Sequence, residues 1–285
     1  MQFRQIGDRP VSAIGLGGMP LSIEDRPDEE RAVATIHMAL DAGVTLIDTA
    51  DAYSLGGDDL GHNELLIARA LASYGDTQDV LVATKGGHLR PGDGSWTQNG
   101  HPDYLKEAAR ASAARLEVEA IDLYQFHRPD PSVPYAESVG ALAELLDEGV
   151  IRMAGISNAS TVQILEAQQV LGGRLVSVQN QFSPSFRSSM AELELCADEG
   201  IAFLPWSPLG GIGSAASLGS THSVFREIAD AHGVSPQQVA LAWQLALAPV
   251  VIPIPGSTRP ESIRDSAQAA DLVLTDLELQ WIAER

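Results

Sequence analysis

Apolar positions along this chain follow two alternating patterns. Short, nearly continuous apolar runs, such as V-L-V-A-T at 80–84 and I-A-F-L-P at 201–205, lie between polar turns. Runs of that kind suit strands buried on both faces. Longer stretches place apolar residues three or four apart, as Val33, Ile36 and Leu40 do before Gly43. That is the spacing of a helix with one buried stripe and a glycine stop. Strands are predicted at 80–84, 121–126, 151–156, 175–179, 201–205 and 250–253, with two more just before Leu16 and Asp48. Helices are predicted at 27–42, 63–74, 102–116, 135–148, 159–171 and 188–199. Eight strands alternating with helices predict an α/β fold, a single closed (β/α)8 TIM barrel. Residues 1–6 and 11–15 surround a G-D-R-P turn and read as an N-terminal β-hairpin. No linker-like stretch divides the chain, so residues 1–285 are expected to form one domain.

Composition bounds the function. A hydrophobic share of 45% is ample for a large core. The formal charge of −20 argues against a nucleic-acid or anionic-membrane partner, while leaving room for one locally basic pocket. Cys196 is the only cysteine, which excludes an intrachain disulfide and a thiolate metal cluster. It falls on a predicted helix, where a buried inert thiol is expected. The start, M-Q-F-R-Q-I-G-D-R-P, has no apolar signal-like core, and no apolar run approaches a membrane span. A cytoplasmic protein is expected.

The candidate chemistry lies at strand ends, where a parallel barrel gathers its reactive groups. Asp48 closes the strand 44–47 and Tyr53 follows five residues later; Lys85 ends the next strand and His127 the one after. A tyrosine with a pKa near ~10 is a poor acid at neutral pH. A cation beside it would lower that value, and a carboxylate would hold the cation in place. Lys85 and Asp48 can supply those parts, or can form a purely structural ion pair. The other six histidines show no ligand spacing, and the H-x-H of a metal-dependent barrel hydrolase is absent, so no metal is expected. The glycine-rich G-L-G-G-M-P at 15–20 has Pro20 in place of the third glycine of a dinucleotide fingerprint. It reads instead as a strand-end loop where Gly18 and Met19 let a ligand approach closely. Two long connections, 86–100 with Trp96 and 210–220, are candidates for functional loops.

With these residues in place the chain resembles the aldo-keto reductase superfamily. The resemblance covers nearly its whole length, because G-I-S-N at 155–158, Q-N at 179–180, P-W-S-P-L-G at 205–210 and I-P-G-S-T-R at 254–259 follow in order. The compact 210–220 loop looks most like the smaller bacterial members, some of which handle pyridoxal. The resemblance implies reversible reduction of an aldehyde or ketone to the alcohol with NADPH, or NADH, on a small-molecule carbonyl substrate. Tyr53 would donate the proton with support from Asp48 and Lys85, and His127 would orient the carbonyl beside Trp96. By the same resemblance Ser157, Asn158 and Gln179 would bind the carboxamide and Trp206 would stack on the nicotinamide. Ser207, Pro208, Leu209 and Gly210 would follow the pyrophosphate. Gly256, Ser257, Thr258 and Arg259 would receive a 2′-phosphate at a helix start.

Some alternatives remain open at this point. Asn158 can equally cap the following helix. Ser262 and Ser266 stand where many relatives carry a basic residue and an asparagine, and Arg264 is a possible substitute. A redox-sensing role with little turnover, resembling potassium-channel β subunits, is the alternative to an enzyme.

Overall fold

Residues 1–284 are described by a computed structural model. Seven short parallel strands pair in the order Ala202–Phe203, Leu175–Gln179, Ile151–Ser157, Ile121–Phe126, Leu81–Gly86, Leu46–Asp48 and Leu16–Gly17. Residues 250–256 close the circle without forming a regular strand. On one side Phe203 N donates to Val250 O at 2.9 Å and Ile252 N to Phe203 O at 2.8 Å. On the other, Gly15 N and Gly17 N donate to the carbonyls of Pro253 and Pro255 at 2.9 and 3.0 Å. Those two prolines have no N–H, so the eighth strand accepts bonds that it cannot return. The fold is the predicted (β/α)8 barrel, with one strand reduced to bridges by V-I-P-I-P.

The hairpin Phe3–Ile6 with Arg9–Ser12 is antiparallel, Ile6 facing Arg9. Its Ile6 and Val11 are fully buried and join Leu46, Leu81, Leu123 and Met153 inside the barrel. Burying each contributes about 1.5–3 kcal/mol, so the hairpin is a plug for the barrel interior. A second, larger apolar layer, including Leu142, Leu145 and Ile164, lies between strands and helices.

Predicted helices recur within one or two residues of their observed ends, because caps set those ends. Asp28 caps Glu29–Asp41, and Ser160 with Gln163 forms a capping box on Thr161–Val170. Ser160, not Asn158, is therefore the cap. Two longer helices, Pro236–Leu247 and Asp276–Ala283, and the short Leu218–Thr221 lay outside the expectations, whereas His232 falls on a helix as expected, Ser223–His232. Pro236–Leu247 is buried from Gln238 through Leu245, so it shows no one-sided stripe to read. The 86–100 connection folds back as a small hairpin, His88–Leu89 against Thr97–Gln98. The 210–220 stretch contains a 3-10 turn and the short helix Leu218–Thr221. Cys196 is buried, and burial pushes its thiol up to about 12, as expected for an inert residue. Among the described residues no helix is long and apolar enough to cross a membrane.

Candidate active site

Barrel closure brings the strand ends together. Lys85 lies in Leu81–Gly86, one strand over from Asp48, and its side chain is fully buried. Its three ammonium hydrogens meet three acceptors: Asp48 Oδ1 at 2.6 Å, Thr49 O at 2.8 Å and Tyr53 Oη at 3.1 Å. The second carboxylate oxygen of Asp48 accepts from Gln179 Nε2 at 2.8 Å and Gln125 Nε2 at 3.4 Å. A carboxylate with three donors and an ammonium with three acceptors form a satisfied pair, as burial demands. His127 sets its ring edge-on to Tyr53, the centroids 5.7 Å apart. The four side chains expected at strand ends thus meet in one place.

The electrostatics differ from the expectation in one respect. Burial lowers the Lys85 pKa, but the Asp48 charge, the phenol and the hydrogen bonds to both outweigh it and hold the ammonium above its ordinary value. Burial raises the Tyr53 pKa, and the nearby Lys85 charge opposes without overcoming it. Tyr53 is therefore held above its ordinary value at rest, not below it, because Asp48 already neutralises the lysine and itself raises the phenol. His127 is held well below the usual imidazole range, by burial first and then by Lys85, His88 and Arg128. At neutral pH the site presents an ammonium, a neutral phenol and a neutral imidazole.

Tyr53 and His127 open into a cavity of about 1260 Å³. That exceeds the roughly 300–1,000 Å³ of most small-molecule sites, leaving room for a dinucleotide and a substrate together. Met19, Ser157, Asn158, Gln179 and Trp206 line it. Ser207, Pro208 and Leu209 continue the wall, as do Gly256, Ser257 and Thr258. Arg259, Ser262 and Ser266 complete the set, and Trp96 lies in the wall with Tyr53 and His127.

Two expected residues are not in the wall. Gly210 closes a tight turn at φ 90°, its N–H donating to Ser207 O. A side chain at Gly18 would meet Asn63 Oδ1 at 2.5 Å, so the close approach that this glycine permits is to protein. Arg264 faces a separate shallow pocket beside Met38 and is no substitute for a cation at Ser262. Two of the four non-glycine residues with positive φ, Asn158 at 57° and Ser207 at 50°, stand in the cavity wall, where such strain is often kept for function. The Asn158 amide donates to His127 O at 3.0 Å and accepts from Trp206 Nε1 at 3.2 Å, tying three strand ends together.

The donor set suits a nicotinamide dinucleotide. Ser157, Asn158 and Gln179 mix donors and acceptors as a carboxamide requires, and Trp206 is a flat ring beside them. Arg259 precedes Pro260–Gln268, a helix with no side-chain cap. Pro260 has no N–H and Ser262 N donates to Arg259 O at 3.2 Å, so the Glu261 amide and the Arg259 guanidinium are the donors left there for an anion.

Several residues in the wall or behind it were missed. Gln125 is a polar side chain inside the apolar run I-D-L-Y-Q-F, which was a readable signal. His88, Arg90, Arg128, Glu24 and Glu261 line the cavity; no local pattern marked them.

With fold and geometry in view, similarity to known proteins is decisive. The chain belongs to the Aldo/keto reductase family, matched over residues 13–284. It is accordingly an NAD(P)H-dependent oxidoreductase. It is 36% identical over 275 residues to an uncharacterized oxidoreductase of Schizosaccharomyces pombe, spanning 95% of this chain and 85% of that one. It is 31% identical over 281 residues to pyridoxine 4-dehydrogenase of Escherichia coli, spanning 95% and 93%. Its fold is similar to that of an aldo/keto reductase from Klebsiella pneumoniae solved with NADP and acetate, with TM-score 0.80, 26% identity, and 96% and 91% coverage.

Proposed function

We propose that this protein reduces an aldehyde or ketone to the alcohol with NADPH, reversibly and without metal. The observation that carries this reading is the fully buried Lys85 ammonium, 2.6 Å from Asp48 and 3.1 Å from the Tyr53 hydroxyl. Bound cofactor would supply hydride to the carbonyl carbon. Tyr53, protonated at rest, gives its proton to the alkoxide oxygen as charge develops there. The phenolate that remains is stabilised by the ammonium beside it, which Asp48 keeps charged. His127, neutral and in the cavity wall, donates a hydrogen bond to the carbonyl and orients it.

The preference for NADPH over NADH rests on Arg259 at an uncapped helix start. The NADP bound to the Klebsiella relative is in keeping with it. Arg31, whose Nε donates to Thr258 O at 3.1 Å, adds a second cation near that turn, whereas Glu261 in the wall opposes it. The preference is therefore moderate.

Tyr53→Phe tests the assignment. Oxidation of NADPH with a panel of aldehydes should slow by roughly 10²–10⁴-fold, the scale of general acid catalysis, while NADPH affinity measured by fluorescence stays near native. Turnover at the native rate would remove Tyr53 from the chemistry.

A further inference from the structure

Beside His127, the cavity wall carries a group of side chains that the reduction itself does not use. Arg128 follows His127 directly and lines the cavity half-buried, with its Nε buried and unpartnered. None of the ion pairs among the described residues includes it. Arg90 comes from the 86–100 hairpin loop. Its side chain is only 3% exposed, and its guanidinium lies 4.3 Å over the Trp96 ring, which fixes its position. Its Nε is likewise buried without a partner, and one terminal nitrogen meets Glu24. In the same wall, His88 stacks on Trp96 at 4.7 Å and sets its edge to His127 at 4.9 Å. His88 is pushed down to about 4, by burial first and then by the charges of Arg128 and Arg90. Its ring is therefore neutral, and both guanidinium groups make themselves felt at one point in the wall.

An arginine left unpaired inside a cavity is unexpected in a chain with 38 acidic and 18 basic side chains. Desolvating a cation costs free energy unless an anion meets it. Glu24 shows which anion suits Arg90, namely a carboxylate. That resident group has its side chain 58% exposed, so it returns to water easily, whereas Arg90, 3% exposed, needs some anion to stay paired. A ligand carboxylate could replace it at little loss. Asp48 cannot serve either arginine, because both its oxygens are already engaged by Lys85, Gln179 and Gln125.

Taking the cavity as the carbonyl site argued above, we propose that it selects carbonyl compounds that carry a carboxylate, held by the forked guanidinium groups of Arg128 and Arg90. The reacting carbonyl lies between Tyr53 and His127, and the carboxylate points toward Arg128. The specificity determinant is a charge-assisted hydrogen bond, which for an arginine fork can be bidentate.

The probes are 4-carboxybenzaldehyde and its methyl ester, which share ring and aldehyde and differ by one charge. Charge-assisted bonds contribute about 1.5–3 kcal/mol, so the native enzyme should show kcat/KM for the acid at least about tenfold above that for the ester. Arg128→Gln should lower that acid-to-ester ratio about tenfold, mainly through KM, and Arg128→Lys should restore part of it. A native preference for the ester, or a ratio that Arg128→Gln leaves alone, overturns the proposal. If neither aldehyde reacts, the carbonyl-reductase reading fails on its own. Benzoate and benzamide binding, followed by calorimetry, then decides the anion site. Benzoate binding that depends on Arg128 keeps it, and equal or absent binding of the two overturns it.

Discussion

Asp48→Asn is the sharpest perturbation of the buried pair at the centre of the site. Lys85 and Asp48 side chains are 0% and 3% exposed, and Nζ has no hydrogen to spare. Asparagine would place an amide where Lys85, Gln179 and Gln125 all donate. The ammonium would stay desolvated without a countercharge, and burial, opposed by the phenol alone, would lower its pKa. Breaking a buried pair by removing one partner costs about 3–5 kcal/mol. Lys85→Met strands the carboxylate instead and should cost a similar amount. The double variant strands neither charge, so its loss should fall short of the sum of the single losses by about 2 kcal/mol or more, within the range of coupled neighbours. Urea unfolding at pH 7 measures all three. Turnover should fall in both single variants, and further in Lys85→Met, which removes the cation facing the phenol. Stabilities that add to within about 0.5 kcal/mol would refute the mutual stabilisation. A larger turnover loss in Asp48→Asn at equal folded fraction would reverse the order of roles.

Three further outcomes are expected. His127→Ala should lower aldehyde turnover about tenfold to a hundredfold, the worth of one well-placed hydrogen bond, without weakening NADPH; loss of cofactor binding would make His127 structural. Arg259→Ala should weaken NADPH by roughly ten- to a hundredfold and leave NADH almost unchanged at fixed low salt; equal weakening of both would assign the arginine to the fold or the pyrophosphate. Asp51 is pushed up from 3.8 to about 8, by burial first and then by Glu64. A raised carboxyl pKa favours folding fully below about pH 4, and that contribution is lost as pH rises through 8. At about 1.4 kcal/mol per pH unit the effect amounts to several kcal/mol. Asp51→Asn should therefore gain stability relative to native between pH 5 and 8.5, read from urea midpoints; a constant difference across that range would show that Asp51 ionises freely.

The alternation of apolar runs and helical stripes determined the class of fold, since burial on both faces of a strand leaves its mark in local sequence. Asp48, Lys85 and His127 were legible because each is a polar residue just where an apolar strand ends, and Tyr53 because it follows Asp48 in the next loop. Other features depended on closure of the barrel. The eighth strand survives only as bridges, because Pro253 and Pro255 withhold donors and Gly15 and Gly17 still find their carbonyls. Whether Asn158 caps a helix was ambiguous from spacing; Ser160 takes that place, and Asn158 ties three strand ends. The direction of the Tyr53 shift was misjudged for a similar reason. Adjacent charges can be read from motifs, but burial and a neutralising partner 37 residues away from Lys85 are properties of packing. Gln179 reaches Asp48 across 131 residues of chain, and Arg90 and Arg128 line one cavity from different elements, their charges both felt at His88. Local spacing carries no record of such meetings, so tertiary structure alone decides which charges are paired and which are left for a ligand.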